Sequence, residues 1–304
     1  MKKPQLPYIL TRSSNNRHGT LTEKPWLVPL IIAATFTVVL LTTTKFLFNK
    51  RSLTNHFLCS LSSAYVTPEI TEYTTTPTQL LAILHYATSR TVPQQSYDEI
   101  RLSFDVLQSI APCNFLVFGL GHDSLMWASL NPGGTTLFLE EDPKWLHKII
   151  QRVPTLRAHL VKYPTKLSEA NKLLSTYKKE EDCMPPNARL EGNKQCKLAL
   201  STLPEEVYKK EWDVIMIDAP KGYFAEAPGR MGAIYTAAVM SRGRTRAGVT
   251  HVFLHDVDRK VEKAFANEFL CKKYLVKGAG RLWHFAIPPA PAASRFVENN
   301  SSFC

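Results

Sequence analysis

The sequence of 304 residues lacks the patterns that mark several common classes of protein. It has six cysteines but no CxxC pair, which argues against a structural zinc site. It also has little excess positive charge beyond its N-terminal tail. Of the formal +11, residues 1–51 carry +7, from eight Lys/Arg and one acid. The rest of the chain carries +4, from 29 basic minus 25 acidic residues, so we expect no nucleic-acid partner.

Only one uncharged apolar run is long enough to cross a membrane, the 20 residues 25–44. Five Lys/Arg precede it and three follow it, which favours a cytosolic N-terminus and a lumenal remainder. A cleaved signal peptide is the alternative, but 24 residues precede the run and no convincing small-residue cleavage site follows it. We predict a cytosolic basic tail (1–24), a transmembrane signal anchor (25–44), a stem rich in Ser and Thr (45–76), a lumenal domain (77–290) and a C-terminal tail (291–304).

The stretch 114–127, NFLVFGLGHDSLMW, is typical of a buried strand that runs into a glycine turn and a helix. Gly119 and Gly121 allow the backbone to turn tightly and to approach a ligand closely. Asp123 and Ser124 can cap the helix, so that its first N–H groups face whatever binds at the end of the strand. The pattern is shared by many nucleotide-binding folds.

The next predicted strand, 135–139, ends in an acidic cluster that begins with Glu140, 19 residues after Gly121. Doubly wound sheets place a carboxylate there that accepts hydrogen bonds from ribose hydroxyls. Ser124 stands where a dinucleotide fingerprint needs its third glycine, which disfavours NAD. S-adenosylmethionine, which has a ribose but no pyrophosphate, is the better candidate. A solvated acidic strand end without a ligand is the alternative.

The remaining pattern alternates helices and strands and predicts an α/β fold with a doubly wound, mostly parallel sheet. Two helices that precede the first strand are interpreted as cover for the sheet, the earlier one through a face carrying Leu80, Leu81 and Leu84. The helices are predicted over 78–90, 96–110, 143–151 and 168–177, and a further strand near 156–163. An insertion over 180–210 interrupts the alternation, and a disulfide between Cys183 and Cys196 would clip it in a lumenal domain.

Two later strands, 212–217 and 250–254, end in Asp218 and in the pair His255 and Asp256. Because parallel strands present their carboxyl ends at one edge, we expect these side chains and Lys221 to converge beside the bound cofactor. Each of them alone is more often a capping or solvated residue. Together they predict an acid/base or metal site.

Methyl transfer to a hydroxyl needs a base or a divalent cation, because a neutral alcohol oxygen is a weak nucleophile. Asp218 and Asp256 resemble the paired carboxylates with which the catechol O-methyltransferase family holds Mg²⁺, and DAPK at 218–221 resembles that family's D-x-x-K with its catalytic lysine. Val257 stands where that pattern supplies an amide ligand. The metal-free alternative makes His255 the general base and Asp256 the group that orients it.

The motifs taken together are similar to those of the plant polysaccharide-biosynthesis family that contains the glucuronic acid 4-O-methyltransferases of cell-wall glycans. They are NFLVFGLGHDSLMWASLNPGGTTLFLEED, DAPKGYF, EAPGRM, HVFLHDVDR, EFLC, RLWHF and the terminal FC. The resemblance implies a class I, Rossmann-like methyltransferase that uses S-adenosylmethionine and is held in the Golgi membrane as a single-pass type II protein.

Within the family, LLAILHYATSR and LLSTYK resemble the arabinogalactan methyltransferases more than the glucuronoxylan ones. The expected activity is 4-O-methylation of glucuronic acid on arabinogalactan side chains. A glucuronoxylan 4-O-methyltransferase and a non-catalytic membrane-anchored scaffold of the same fold are the alternatives. The oligomeric state is left open.

A polysaccharide acceptor that carries glucuronic acid needs a cation for its carboxylate. Arg230 in EAPGRM or Arg259 in HDVDR is expected to supply a bidentate contact. Trp283 in RLWHF is a candidate for stacking on a sugar ring, with a core tryptophan as the alternative.

Overall fold

The computed structural model describes residues 75–291 and 302–304. The predicted basic tail and signal anchor, and nearly all of the predicted stem, lie outside the described residues. No helix within the described ranges is both long and apolar enough to cross a membrane.

Helices and strands alternate along most of the described chain, as predicted. The helices of five or more residues are α1 (Pro77–Thr88), α2 (Tyr97–Ile110), α3 (Ser124–Ser129), α4 (Pro143–Arg152), α5 (Ala170–Thr176), α6 (Glu205–Lys209), α7 (Met231–Gly243), α8 (Lys260–Phe265) and a π-helix at Ala266–Leu270. The strands are β1 (Asn114–Phe118), β2 (Thr135–Glu140), β3 (Arg157–Leu160), β4 (Val214–Ile217), β5 (Thr250–Leu254), β6 (Leu275–Ala279) and β7 (Leu282–Ile287).

In the described part of the chain these strands form one sheet of order β3-β2-β1-β4-β5-β7-β6. The first five in this order are parallel, whereas β7 runs antiparallel to both neighbours. β7 reverses because only two residues separate it from β6, and one of them, Gly280, has φ +50°. The predicted α/β fold with a doubly wound, mostly parallel sheet is confirmed.

The core lies on both faces of the sheet, because successive strand residues point to opposite sides. Leu116 and Phe118 of β1 pack in one apolar cluster, which also contains α7. Phe115 and Val117 pack in the other, which contains Leu107 of α2. β1 is therefore covered on both sides, as its continuous apolar sequence predicts.

α1 does not cover the sheet as its leucines led us to expect. Leu80 and Leu84 are 56% and 63% exposed, and Leu81 is 39% exposed. The helix instead packs beside α3 through Ala82 and Tyr86, whose hydroxyl donates to His122 O at 2.7 Å. Because the face with Ala82 and Tyr86 contacts α3, the leucines beside that face remain exposed to solvent.

Two disulfides fasten the loops of the domain. The predicted Cys183–Cys196 bond clips the insertion and is confirmed. A second bond, Cys271–Cys304, was not predicted, and it ties the end of the chain to the residue that follows the π-helix. The adjoining Phe303 is 5% exposed and packs in the core. The terminal FC is therefore part of the folded domain.

Candidate active site

The register of the sheet brings four site residues into one row. Phe118 of β1 pairs with Leu139 of β2 and with Ile217 of β4, which in turn pairs with Leu254 of β5. The residues that follow these four positions are Gly119, Glu140, Asp218 and His255. The ends of these strands therefore converge at the carboxyl edge of the sheet, as predicted.

A cavity of about 420 Å³ opens at this edge, a size typical of small-molecule sites. Its lining includes all three predicted cofactor residues and five of the other predicted site residues. They are Gly119, Gly121, Glu140, Asp218, Lys221, Arg230, Asp256 and Arg259. His255 and Trp283 are not among the described residues that line it.

Glu140 has the position and environment of a ribose-binding carboxylate. Its side chain accepts hydrogen bonds from the backbone N–H groups of Leu120 at 3.1 Å and Asp142 at 2.8 Å, which fix its orientation. Burial and the neighbouring Glu141 raise the pKa of Glu140 to about 7. A carboxyl held in this way can accept hydrogen bonds from two neighbouring hydroxyls in the cavity.

The glycine turn keeps the cavity open beside Glu140. Gly119 has φ +124°, and a methyl group on it would lie 3.2 Å from Cβ of Ala219. A methyl group on Gly121 would lie 2.8 Å from Oδ1 of Asp123. Side chains at either position would strain the turn. Together with Glu140, these glycines fit an adenosine-type ligand that needs close backbone approach.

The expected capping of α3 is wrong in its details. Asp123 occupies the N-cap, but its carboxylate accepts from the indole N–H of Trp127 at 2.8 Å and bonds no N–H of the first turn. Ser124 Oγ accepts from Gly121 N at 2.8 Å, which braces the glycine turn instead. The side chains therefore stabilise the turn, and the helix they precede is only six residues long.

Trp145 of α4 is a cavity residue that the sequence analysis missed. Its indole N–H donates to Leu120 O at 2.5 Å, so the ring is fixed against the glycine turn. Asp142 caps α4 and places Trp145 in its first turn, close to Glu140. The cap was recognisable in the sequence, but the direction of the indole depends on the packing between α4 and the turn.

Asp218 and His255 form a hydrogen-bonded pair at the cavity. Asp218 Oδ1 lies 2.9 Å from His255 Nδ1, while the side chain of Asp218 remains 28% exposed. His255 lies behind it and is 2% exposed. Burial opposes the charge on each and is the largest single influence, but the charged neighbours together outweigh it. The contacts with His255 and Arg230 lower the pKa of Asp218, and the contacts with Asp218 and Asp256 raise the pKa of His255.

The metal-free alternative, in which Asp256 orients His255, is wrong in its choice of aspartate. The nearest oxygen of Asp256 lies 3.6 Å from His255 Nδ1, compared with 2.9 Å for Asp218. On the other side of the ring, Nε2 has no hydrogen-bond partner among the described residues and lies 3.6 Å from Glu99 Oε1. Glu99 is itself fixed by backbone N–H donors from Ser96 and Arg281, both at 2.6 Å.

Gln95 completes the contacts of Asp218, donating from Nε2 to Oδ2 at 3.1 Å. Neither Gln95 nor Glu99 was among the predicted site residues. Glu99 belongs to the capping box that begins α2 at Ser96. Its position in the sequence therefore indicates a helix cap and does not indicate a residue of the site. Its approach to His255 depends on how α2 packs against the strand ends.

Arg230 lies between the two aspartates instead of facing a substrate. Its guanidinium contacts Asp218 Oδ1 at 3.2 Å and Asp256 Oδ2 at 2.8 Å, and donates to the carbonyl of His255 at 2.7 Å. The side chain is only 6% exposed. Its charge is thus used to hold the ends of β4 and β5 together.

The residues present do not fit a divalent cation held by Asp218 and Asp256. The candidate ligand atoms of Asp218, His255 and Asp256 lie within 4.8 Å of one another. However, Asp256 already contacts three guanidinium groups, those of Arg230 at 2.8 Å, Arg259 at 2.9 Å and Arg281 at 2.7 Å. A metal ion in the same space would meet the positive charge of these three groups at close range.

The other predicted site residues are Arg259 and Trp283, which were expected to contact the substrate, and Lys221, which was expected to be catalytic. Arg259 lines the cavity and is 30% exposed, so part of its guanidinium can meet an acceptor. Lys221 also lines the cavity, 3.4 Å from Asp142, and does not touch Asp218. Trp283 stands away from the cavity on β7 and packs edge-on against Phe285, which corresponds to the core alternative.

Comparison with known proteins finds several similar chains, among them two plant methyltransferases and one solved bacterial structure. Arabinogalactan O-methyltransferase 2 of Arabidopsis thaliana is 57% identical over 97% of this chain and 100% of that protein. Glucuronoxylan 4-O-methyltransferase 2 of the same plant is 51% identical over 70% of this chain and 72% of its own. A solved methyltransferase-like protein from Silicibacter pomeroyi is 16% identical, with TM-score 0.38, over 67% of this chain and 93% of its own.

A sequence model of the IRX15/IRX15L/GXM family matches residues 98–285, which include every predicted site residue. The match covers more than half of the chain, and the first relative is similar over nearly its whole length. The resemblance drawn from the motifs is thereby confirmed, and the chain belongs to the IRX15/IRX15L/GXM family.

Proposed function

We propose that this protein is an S-adenosylmethionine-dependent O-methyltransferase that acts on the 4-hydroxyl of glucuronic acid in arabinogalactan side chains. The observation that carries the proposal is that Glu140 and Asp218 line one cavity, beside the glycine turn. One carboxylate is placed to hold a ribose and the other to meet an acceptor hydroxyl. A 57% identical relative named as an arabinogalactan O-methyltransferase supports this acceptor.

S-adenosylmethionine would supply the methyl group. Glu140 binds and orients the ribose, because its two oxygens are fixed by backbone donors and face the cavity. Gly119 and Gly121 allow the backbone to approach the nucleoside, and the fixed indole of Trp145 provides an apolar wall.

Asp218 and His255 remove the proton of the acceptor hydroxyl. Asp218 faces the cavity and takes the proton from the hydroxyl oxygen. The neutral imidazole of His255 carries its own proton on Nε2, so Nδ1, 2.9 Å behind Asp218, has the lone pair that takes the proton from Asp218. The raised pKa of His255 and the lowered pKa of Asp218 make the imidazole the stronger base of the pair. The neutral imidazole is the working form, so turnover rises with pH through a pKa above 6.5.

The second version of the mechanism places a divalent cation on Asp218 and Asp256. It requires the guanidinium of Arg230 to leave both carboxylates, which it contacts at 3.2 and 2.8 Å. Treatment with EDTA separates the two versions. Unchanged turnover is the result expected for the pair of Asp218 and His255, and loss that added divalent ion restores would establish the cation.

Two other functions compete with the proposal. A non-catalytic scaffold need not bind the cofactor product, so calorimetry with S-adenosylhomocysteine tests it directly. A glucuronoxylan methyltransferase would prefer xylan, as the name of the 51% identical relative indicates for that protein. Competition between arabinogalactan and glucuronoxylan acceptors measures this preference, and we expect arabinogalactan to be methylated faster. A faster rate on xylan would reverse the assignment of the acceptor.

We further propose that the protein is a single-pass type II membrane protein of the Golgi with a lumenal catalytic domain. The apolar run at 25–44 and the charge difference across it support this orientation. The bonds Cys183–Cys196 and Cys271–Cys304 support an oxidising compartment. Protease treatment of sealed microsomes tests the orientation, since digestion of the C-terminal domain without detergent would contradict it.

A further inference from the structure

Two neighbouring aromatic side chains are exposed beside the cavity. Tyr223 is 68% exposed and lines the cavity, and Phe224 is 45% exposed. Their ring centroids are 5.2 Å apart at an interplanar angle of 67°, an edge-to-face pair that leaves a ring face open. Large exposed aromatic surface next to a binding cavity is typical of an interaction site.

The loop that carries these rings, residues 219–230, is held firmly by the rest of the domain. Its outer part is fixed by Leu167 N, which donates to Ala227 O at 2.7 Å, and by Ser168 N, which donates to Ala225 O at 3.0 Å. At its start, Lys221 N donates to Glu141 at 3.0 Å. The exposure of the two rings is therefore a property of an anchored loop.

Close packing also fixes the backbone immediately before the pair. A methyl group on Gly222 would lie 2.8 Å from Oε1 of Glu262 and 3.4 Å from a guanidinium nitrogen of Arg259. The loop is thus pressed against α8, and Tyr223 extends from it at the cavity. Folding leaves these rings unburied, so their apolar surface remains available to a ligand.

We infer that Tyr223 and Phe224 form an acceptor subsite that binds the pyranose ring of the sugar next to the methylated glucuronic acid. The inference rests on the proposed function. A pyranose ring has faces of C–H groups, whose partial positive charge is attracted to the negative face of an aromatic ring. Lys221 and Arg259 line the cavity beside the pair and suit the neighbouring uronate carboxylate. A neutral sugar on the rings and a charged sugar in the cavity match this arrangement.

The subsite predicts that chain length matters to the acceptor's KM. An oligosaccharide that ends in glucuronic acid contacts both the cavity and the rings, whereas free glucuronic acid contacts the cavity alone. Loss of an aromatic anchor typically costs enough binding energy to weaken affinity by about tenfold. We therefore expect the full-length variants Tyr223→Ala and Phe224→Ala to raise KM for an arabinogalactan oligosaccharide by about tenfold, with little change in kcat.

Controls separate stacking from general damage. The conservative variants Tyr223→Phe and Phe224→Tyr retain the rings and should keep KM within about threefold. Tyr97→Ala removes a tyrosine that is 74% exposed on α2 and is not part of the cavity lining, and it should leave KM unchanged. KM for free glucuronic acid and the Kd for S-adenosylhomocysteine should not change in the Phe224 variants or in Tyr97→Ala, because neither residue lines the cavity.

Direct binding of the same oligosaccharide, measured by calorimetry without turnover, distinguishes this inference from the proposed function. Weaker binding to both alanine variants than to the wild type supports the subsite, even if no methyl transfer is detected. Normal oligosaccharide KM and Kd in both alanine variants would overturn the subsite while leaving the methyltransferase intact. A change in oligomeric state without a change in KM would assign the rings to a protein contact, and absence of turnover and of binding in the wild type would overturn both proposals.

Discussion

Cofactor affinity should depend on pH through Glu140. Burial raises the pKa of its carboxyl from 4.5 to about 7, with Glu141 contributing in the same direction. Only the ionised form offers both oxygens as acceptors to the two ribose hydroxyls. If binding selects that form, the Kd for S-adenosylhomocysteine should be about tenfold higher at pH 6 than at pH 8.

The matched variant is Glu140→Gln, which keeps the size of the side chain but does not titrate. It should remove the pH dependence between pH 6 and 8, and at pH 8 it should raise the Kd by about ten- to a hundredfold, since a hydrogen bond to a charged acceptor contributes about 1.5–3 kcal/mol. Calorimetric titrations at pH 6, 7 and 8 measure both effects. S-adenosylhomocysteine is the suitable probe because its sulfur carries no charge. A flat wild-type profile, or an equal slope in the variant, would refute the role of Glu140.

The raised pKa of Glu140 also predicts how the stability of the ligand-free protein changes with pH. The native carboxyl of Glu140 binds its proton more tightly than the unfolded one, because its pKa is raised from 4.5 to about 7. The contribution of this group to the free energy of unfolding is therefore favourable at low pH and decreases as the pH rises from about 4.5 to about 7. Urea unfolding of the wild type and of Glu140→Gln, at about pH 4.5 and about pH 7, measures how much the free energy of unfolding changes through this group.

Three further predictions concern the base, the acceptor and the second disulfide. Asp218→Asn and His255→Gln should each lower kcat by about a hundredfold or more with the Kd for S-adenosylhomocysteine within about threefold of wild type; near-normal rates would place the base elsewhere. Arg259→Gln should raise KM for glucuronic acid acceptors about tenfold, and an unchanged KM would remove it from the carboxylate contact. The double variant Cys271→Ser/Cys304→Ser opens a loop of sequence separation 33 and should lose about 4 kcal/mol of stability in urea unfolding, whereas no loss would show that the packing of Phe303 suffices.

Local sequence predicted the elements that depend on nearest neighbours. β1, Asn114–Phe118, lies at the start of the stretch 114–127, where a buried strand was predicted before the glycine turn, because a short apolar run in that position has few other solutions. The row formed by Gly119, Glu140, Asp218 and His255 followed from the rule that parallel strands end at one edge. Both inferences need only the chain's own pattern and the topology of the sheet.

Side-chain partners across the fold were not predictable in the same way. Arg230 was assigned to an acceptor carboxylate, yet the register of β4 and β5 places Asp218 and Asp256 on either side of it. The metal-free alternative paired His255 with the adjacent Asp256, whereas the residue across the sheet, Asp218, is closer. Sequence neighbours compete with spatial neighbours at strand ends, and only the register decides between them.

The exposed leucines of α1 illustrate the same limit for packing. A helical repeat of Leu80, Leu81 and Leu84 indicates an apolar face, but it does not identify the surface that the face meets. α1 uses Ala82 and Tyr86 to approach α3, and Tyr86 bonds both His122 O and Met126 N. Hydrogen bonds to the start of α3 therefore decide the orientation of the helix.

The position of the methyl group on the product shows whether the protein is a glucuronic acid 4-O-methyltransferase. The full-length protein is incubated with labelled S-adenosylmethionine and an arabinogalactan whose side chains end in unmethylated glucuronic acid, and the labelled sugar is identified by linkage analysis. We expect label at O-4 of glucuronic acid, and we expect Asp218→Asn to lose it. Label on another sugar or another hydroxyl, or no label with S-adenosylhomocysteine still bound, would contradict it.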